Sequence, residues 1–131
     1  MSTLDTKILT PYGQIYQGQA TGVNMPGTEG AFEVKHNHAG LMSMLEIGKV
    51  LVRESGGSEQ VFSLNGGFVE VLNNQVTILA ESAEKKGDID VERAKIAKER
   101  AEQEIKKQKV ADKQVELALK RAINRLNIAD L

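Results

Sequence analysis

The positions of glycine and proline divide the chain into two parts with different folding constraints. All 12 glycines and both prolines fall at or before Gly87, and the 44 residues from Asp88 onward contain neither. Because glycine and proline interrupt helices, only the second part can sustain long unbroken helices. The sequence therefore predicts a domain of short segments and turns over residues 1–86, followed by a helical domain over residues 87–131.

The first part has the pattern of a series of short β-strands. Leu4, Thr6 and Ile8 alternate with polar residues before a turn at Pro11-Tyr12-Gly13, as in a half-buried strand. Further strand-like runs are QIYQGQA, GVNM, KVLVRE, QVFSL, GFVEVL and QVTILAE. Strands at this spacing favour an antiparallel β-sandwich or flattened barrel over a parallel sheet with crossover helices.

Two local features of the first part lead to more specific predictions. Asn73-Asn74 separates two strand-like runs, and asparagine tolerates the positive φ of a tight hairpin turn. The segment His38–Gly48, HAGLMSMLEIG, is the place in this part where a helical turn is expected.

The second part is rich in Ala, Lys, Glu and Gln, which are good helix formers. Small apolar residues recur at steps of three and four, which places each set on one helix face. The two sets are Ala94, Ala97, Ala101 and Ile105, then Ala111, Val115, Ala118, Leu119, Ala122 and Leu126. The segment 105–110 between them predicts a turn of an antiparallel hairpin, although one helix of about 40 residues, near 60 Å long, is also compatible with the pattern.

Alanine in these stripes predicts a weak contact between the helices. Full burial of a leucine or valine side chain contributes roughly 1.5 to 3 kcal/mol, and alanine contributes far less. A hairpin held together by such a contact is expected to open easily.

Charge and composition exclude several classes of function. Residues 1–81 carry 4 basic and 8 acidic side chains, whereas residues 82–131 carry 13 and 10. The basic residues of the second part alternate with acids and lack aromatic neighbours, which argues against nucleic acid and favours a protein partner with an acidic patch. No apolar run approaches the roughly 20 residues of a membrane span, and no signal-peptide pattern begins the chain.

The chain also lacks the common catalytic signatures. There is no cysteine, no phosphate-binding glycine loop and no Ser-His-acid pattern, so we expect no catalytic site. His36 and His38 could offer two imidazoles to a metal, but a loop role is favoured because a zinc site needs further ligands.

Five segments, in their order and spacing, resemble the epsilon-subunit family of bacterial F-type ATP synthases over essentially the whole chain. They are LTPYGQIYQG, PGTEGAFEV, NHAGL, LNGGFVEVLNNQVTILAESAE and IDVERAKIAKERAE. The resemblance implies an α+β fold with segregated parts. An N-terminal antiparallel β-sandwich of about ten strands would be followed by an antiparallel hairpin of two helices.

The resemblance also implies a non-catalytic central-stalk subunit that needs no cofactor. In that family the sandwich binds the gamma subunit and the c subunits of the rotor ring. The hairpin moves between a folded form and an extended form that reaches the alpha/beta catalytic head and inhibits ATP hydrolysis. Such a subunit would sit peripherally at the cytoplasmic face of the cell inner membrane, without inserting into it.

Some members of this family bind regulatory ATP on the folded hairpin through an I/L-D-x-x-R-A motif. Ile89, Asp90, Arg93 and Ala94 match that motif. The resemblance adds Glu84 just upstream, Arg100 two turns along the first helix and Arg125 on the second. Arginines that converge when the helices fold together suit phosphate, and a carboxylate can accept hydrogen bonds from ribose or adenine. In the alternative reading, Asp90 only supports the helix start and Arg93 only pairs with nearby acids.

The resemblance places rotor-ring contacts between Glu29 and Leu41, with Glu29, Gly30, His38 and Leu41 as candidates. Where the family usually has a PxHAPL loop, this chain has His36-Asn37-His38-Ala39-Gly40-Leu41. Without the two prolines this loop is less fixed before binding.

Two other functions are compatible with the same residues. A free-standing ATP-binding sensor would share the Asp90 and Arg93 site but need no partner for the sandwich. A β-sandwich adaptor with a helical tail would neither bind nucleotide nor affect ATP hydrolysis.

Overall fold

The computed structural model describes residues 2–108 and 112–131 and contains seven strands followed by two helices. The strands are β1 (Leu4–Thr10), β2 (Gly13–Gly27), β3 (Gly30–Lys35), β4 (Leu41–Glu54), β5 (Glu59–Leu72), β6 (Gln75–Ala80) and β7 (Ala83–Lys85). A 3-10 turn (Lys86–Asp88) leads to α1 (Val91–Lys107) and α2 (Lys113–Ala129).

The strands form one sheet that closes on itself. The order β1-β6-β5-β4-β2 returns to β1 through the β1–β2 pairing, with β3 added beside β2 and β7 beside β5. All pairs are antiparallel except β1–β6. Strand direction cannot alternate all the way around a ring of five strands, so the otherwise antiparallel sheet that the sequence predicts needs one parallel pair.

Three long strands explain the difference between the seven strands observed and the ten expected. β2 pairs with β1 over its first half and with β3 over its second half. β5 pairs with β7 before Gly66 and with β6 from Gly67 onward. The ladder from β4 to β2 is likewise interrupted between two paired stretches. Counting the halves of these three strands separately gives the expected ten.

The core of the sandwich is almost entirely aliphatic. Its completely buried side chains alternate along the strands with residues that face outward. The aromatic contribution comes from Tyr16 and Phe62, whose rings meet edge to face with centroids 5.3 Å apart. The members with no exposed surface are Leu4, Ile8, Ala20, Val23, Met25, Val34, Val50, Val52, Phe62, Leu64, Val69, Val76 and Ile78.

One local prediction is confirmed and one is wrong. Asn73 and Asn74 form the turn between β5 and β6 with φ angles of 50° and 60°, as their composition predicts. The expected helical turn within His38–Gly48 is absent, because β4 begins at Leu41. Pairing with β5 and alternating burial outweigh the helix-favouring methionines of this segment.

The second part folds as a two-helix hairpin and not as one long helix. Asp90 caps the start of α1 and Asp112 caps the start of α2. α1 packs mainly against α2, and α2 also packs against β4 and β5. Within the predicted turn, Lys109 and Val110 lie outside the described residues, as does Ala111 of the second stripe.

The helices in the described part of the chain are too short or too polar to span a bilayer.

Candidate functional site

A cavity of about 300 Å³ lies where β7, the 3-10 turn and the two helices meet. This volume is at the lower end of the range for small-molecule sites. The cavity is lined by Glu84, Asp88, Asp90, Arg93, Ala94 and Arg125. Residues from these four elements therefore share one site when the hairpin is folded.

Asp90 has a structural role at this site whether or not a ligand binds. Its Oδ1 accepts a hydrogen bond from the backbone N–H of Arg93 at 3.1 Å, which caps the first turn of α1. The preceding Ile89 is only 8% exposed and anchors the segment. Asp90 therefore supports the start of α1, as the alternative reading expects, and it also lines the cavity.

Arg125 is held in the cavity by Glu84. The Nε of Arg125 donates to the Oε1 of Glu84 at 2.6 Å, and each side chain is about one-third exposed, 32% and 33% respectively. A single contact at Nε leaves the terminal nitrogens of the guanidinium available to another acceptor. Glu84 therefore orients Arg125, a role that differs from direct contact with a ligand.

Arg93 lines the same cavity from the first turn of α1. Among residues 2–108 and 112–131, its guanidinium takes part in no hydrogen bond or ion pair. The expected pairing of Arg93 with neighbouring acids is thus not observed there. Its donors remain available to a ligand.

Two of the sequence candidates lie apart from the cavity. Arg100 is exposed on α1, two turns and about 10 Å beyond Arg93, and does not line the cavity. Ile89 supports the site from the protein interior and does not line it either. The cavity adds Asp88, which the sequence reasoning missed. Its only signal was its position two residues before Asp90.

The lining combines three carboxylates with two guanidiniums at the start of α1. Guanidinium groups and a helix N-terminus both favour phosphate, whereas carboxylates accept hydrogen bonds from hydroxyl or amino groups. The arrangement suits a ligand with an anionic end and a neutral, donor-bearing end. No group of three or more His, Asp or Glu side chains among the described residues is placed to hold a metal ion.

The rotor-ring candidates lie at both ends of β3. Glu29 and Gly30 are exposed at its start, and the exposed His38 lies in the loop after its end. A strand of this length spans roughly 17–20 Å. Leu41 begins β4, three residues before Met44, whose carbonyl accepts a hydrogen bond from the N–H of Thr28. The four candidates therefore do not form one compact cluster.

A row of apolar side chains crosses four strands on the outer face of the sheet. The register pairs Met44 with Phe68, Phe68 with Leu79, and Leu79 with Leu9, and paired residues point to the same face. Met44 is 61% and Leu79 is 38% exposed, and Met42 beside them is 70% exposed. We call Leu9, Met44, Phe68 and Leu79 the apolar row.

Comparison with protein families matches both parts of the chain. Residues 3–86 match the model of the ATP synthase delta/epsilon chain β-sandwich domain. Residues 88–130 match the model of the ATP synthase delta/epsilon chain long α-helix domain.

Individual relatives give the same family, and solved structures give the same fold. The chain is 43% identical to the ATP synthase epsilon chains of Halalkalibacterium halodurans and Bacillus pumilus, with 98% of each chain covered in both cases. A chain of the Euglena gracilis mitochondrial ATP synthase superposes with a TM-score of 0.83 at 24% identity, covering 100% of this chain and 83% of that one. A chain of the Tetrahymena thermophila mitochondrial ATP synthase superposes with a TM-score of 0.64 at 16% identity, covering 97% and 93%. At these identities the two superpositions show the fold alone, and the family rests on the two domain models and the epsilon-chain relatives. The chain therefore belongs to the ATP synthase epsilon chain family.

Proposed function

We propose that the chain couples the rotor ring to the gamma subunit in the central stalk of an F-type ATP synthase and that its hairpin regulates ATP hydrolysis. As an epsilon chain, it is a structural or regulatory subunit and not the catalytic one. In this proposal, residues 1–86 bind the stalk and rotor, and residues 87–131 inhibit hydrolysis when they extend toward the catalytic head. ATP binds the folded hairpin.

The main support for ATP regulation is the cavity that contains both Arg93 of α1 and Arg125 of α2. In the proposed binding mode, the two arginines hold the phosphates beside the start of α1. Asp88 and Asp90 accept hydrogen bonds from the ribose or the adenine amino group. Glu84 keeps Arg125 in place through the bond at its Nε.

Such a ligand would stabilise the folded hairpin, because extension separates the elements that form its site. A ligand that binds one state alone stabilises it by RT ln(1 + [L]/Kd), about 2.7 kcal/mol at a hundredfold excess over Kd. That amount reverses a conformational balance of one or two kcal/mol. Depletion of ATP would then release the hairpin, whose residues 87–131 carry 11 basic and 9 acidic side chains, toward acidic surfaces of the head.

Calorimetric titration of the purified chain with ATP tests nucleotide binding. We expect saturable heat, and we expect Arg93→Ala to weaken binding by about 10- to 100-fold through the loss of charge-assisted hydrogen bonds. Arg100→Ala is the matched control, because Arg100 lies on the same helix but outside the cavity. Absence of heat at millimolar ATP would remove nucleotide sensing from the proposal.

The apolar row supports a docking role for the sandwich. Apolar side chains aligned across four strands resemble the buried centre of a protein interface more than an ordinary solvated sheet face. We assign this face to the gamma subunit. The region from Glu29 to Leu41, which borders Met42 and Met44, is assigned to the c subunits.

Capture experiments with purified gamma subunit and rotor ring test this assignment. We expect stoichiometric capture by the unmodified chain and loss of gamma capture in Met44→Asp, which places a charge within the apolar row. Gln17→Asp, an exposed change on β2, should bind normally. Failure of the unmodified chain to capture either partner would favour a free-standing sensor. Such failure together with an absence of nucleotide binding would favour a plain adaptor.

In the assembled enzyme the subunit would be peripheral, at the cytoplasmic face of the cell inner membrane. It would be held there by its protein partners and would not insert into the bilayer. We expect low-salt washing without detergent to release the subunit from membranes together with the catalytic head.

A further inference from the structure

Asn124 connects α2 to two neighbouring strands of the sheet. Its side-chain Nδ2 donates to the carbonyl oxygen of Gly48 in β4 at 2.9 Å and to the Oγ of Ser63 in β5 at 3.2 Å. Ser63 is only 1% exposed, so the second acceptor lies inside the protein. One helical side chain thus bonds the hairpin to the body of the sandwich.

The sheet beside Gly48 is irregular on the side of β2. The ladder between β2 and β4 is interrupted opposite residues 46–50 of β4. Gly48 lies so close to Pro26 that a Cβ atom at Gly48 would be 2.5 Å from the Cβ of Pro26. Proline has no N–H to donate. The amide of Asn124 therefore supplies a donor at a site where the neighbouring strand residue offers none.

Asn124 also precedes the arginine of the candidate nucleotide site. Arg125 bonds Glu84 of β7 at 2.6 Å, so consecutive residues of α2 contact β4, β5 and β7. Buried Ala122 and Ile128 lie on either side along the helix. Fixing Asn124 fixes the position of α2 along the sheet and thereby places Arg125 in the cavity.

We propose that Asn124 is the positioning residue that docks the hairpin on the sandwich and sets the docked fraction in the absence of nucleotide. The proposal rests on the regulation by a mobile hairpin described above. It adds a control point outside the nucleotide cavity, since Asn124 is not among the residues lining that cavity. Loss of its hydrogen bonds favours the undocked hairpin, as depletion of ATP does in the proposed function.

The test compares Asn124→Asp with Asn127→Asp. Aspartate matches asparagine in shape, but its ionised carboxylate cannot donate and would face the carbonyl of Gly48. Asn127 is an exposed residue on the same helix, with no side-chain hydrogen bond among the described residues, so its replacement introduces the same charge without removing a hydrogen bond. Because the chain has no cysteine, spin labels can be attached to cysteines introduced at Gln17 on β2 and Glu102 on α1.

Without nucleotide, we expect Asn124→Asp to lower the ratio of docked to undocked hairpin by about tenfold or more, as the loss of one to two hydrogen bonds implies. The label distance should lengthen while the melting temperature of the sandwich is unchanged. Asn127→Asp should match the unmodified chain. Ser63→Ala should have a smaller effect, because Gly48 still accepts. If Asn124→Asp does not fold, the uncharged Asn124→Leu provides the same comparison.

Equal distance distributions for the Asn124 and Asn127 variants would overturn the proposal. A second set of distance measurements adds ATP to each variant. It distinguishes failure of the Asn124 proposal from failure of the nucleotide site. Restored docking of Asn124→Asp by ATP supports both proposals. If ATP changes no distance but Asn124→Asp still undocks, nucleotide regulation fails while the role of Asn124 stands.

Discussion

The sandwich and the hairpin differ in the amount and the kind of internal contact that stabilises each of them. Seventeen buried apolar residues form a single cluster within the sandwich, and the strand ladder closes on itself. In the described parts of the helices, only Ala94, Ala101, Ala122 and Ile128 are buried. Since burial of larger apolar side chains stabilises more, the sandwich is suited to a rigid connector and the hairpin to an element that can detach.

The first prediction concerns the sandwich, where we expect the largest effect. Phe62 has no exposed surface and packs edge to face on Tyr16. Phe62→Ala should lower the free energy of unfolding by about 3–5 kcal/mol through lost transfer energy and the remaining cavity. Urea denaturation followed by circular dichroism measures this change. A loss below about 1 kcal/mol would mean that the sandwich core is not the rigid part of the molecule.

The second prediction concerns the seam between the helices. Ala101 is 5% exposed on α1, whose main packing partner is α2. Overpacking by Ala101→Leu should destabilise the hairpin by about 1–3 kcal/mol and accelerate amide exchange in both helices. Gln103→Leu, at an exposed position of the same helix, is the control. Faster exchange throughout the sandwich as well would contradict the independence of the two parts.

The third prediction separates the structural role of Asp90 from its proposed role in binding. Asp90→Ala removes the N-cap of α1, which should reduce stability by about 1 kcal/mol. Asp90→Asn retains a capping oxygen and should preserve the helix start. Exchange rates of the first-turn amides measure the cap, and calorimetry measures ATP affinity. Normal exchange in Asp90→Ala would show that the cap does not hold the helix start.

The smallest expected effect concerns the pH dependence of the sandwich. The hydrogen bond from Tyr16 at 2.6 Å, followed by one from Gln60, lowers the pKa of the Glu54 carboxyl below its ordinary value. A lowered pKa contributes stability that is present above the ordinary value and is lost as pH falls through the folded-state pKa. Tyr16→Phe should therefore lose stability at neutral pH and show a weaker decline on acidification.

Thermal melts between about pH 3 and pH 7 measure this pH dependence, because that interval spans the ordinary pKa range of carboxyl groups. Tyr12→Phe is the matched control, because Tyr12 is 93% exposed. An acid dependence in Tyr16→Phe as steep as in the unmodified chain would show that Glu54 gains nothing from this hydrogen bond.

Features of the fold that depend on local residue patterns are predictable from the sequence. They are the strand runs, the Asn73-Asn74 turn and the breaker-free helical part. The parallel β1–β6 pair depends on closure of the ring, and the division of β2, β4 and β5 depends on exchange of partners along each strand. Neither feature can be read from the alternation of apolar and polar residues along a single strand.

The family resemblance supplied five of the six residues that line the cavity, namely Glu84, Asp90, Arg93, Ala94 and Arg125, but not Asp88. Ile89 and Arg100, which it also supplied, do not line the cavity. The contacts of Asn124 were not predictable either. Asn124 resembles an ordinary polar residue of a solvated helix. Its partners are 76 and 61 residues away in sequence, and only the fold brings them together.

In the proposed regulation, ATP holds the hairpin folded while the sandwich stays rigid in both states. This regulation can be tested by hydrogen exchange of the assembled central stalk, measured with and without ATP. We expect ATP to slow amide exchange in α1 and α2 and to leave the exchange of the protected amides of β4 and β5 unchanged. Helix amides whose exchange does not respond to saturating ATP would show that ATP does not hold the hairpin folded.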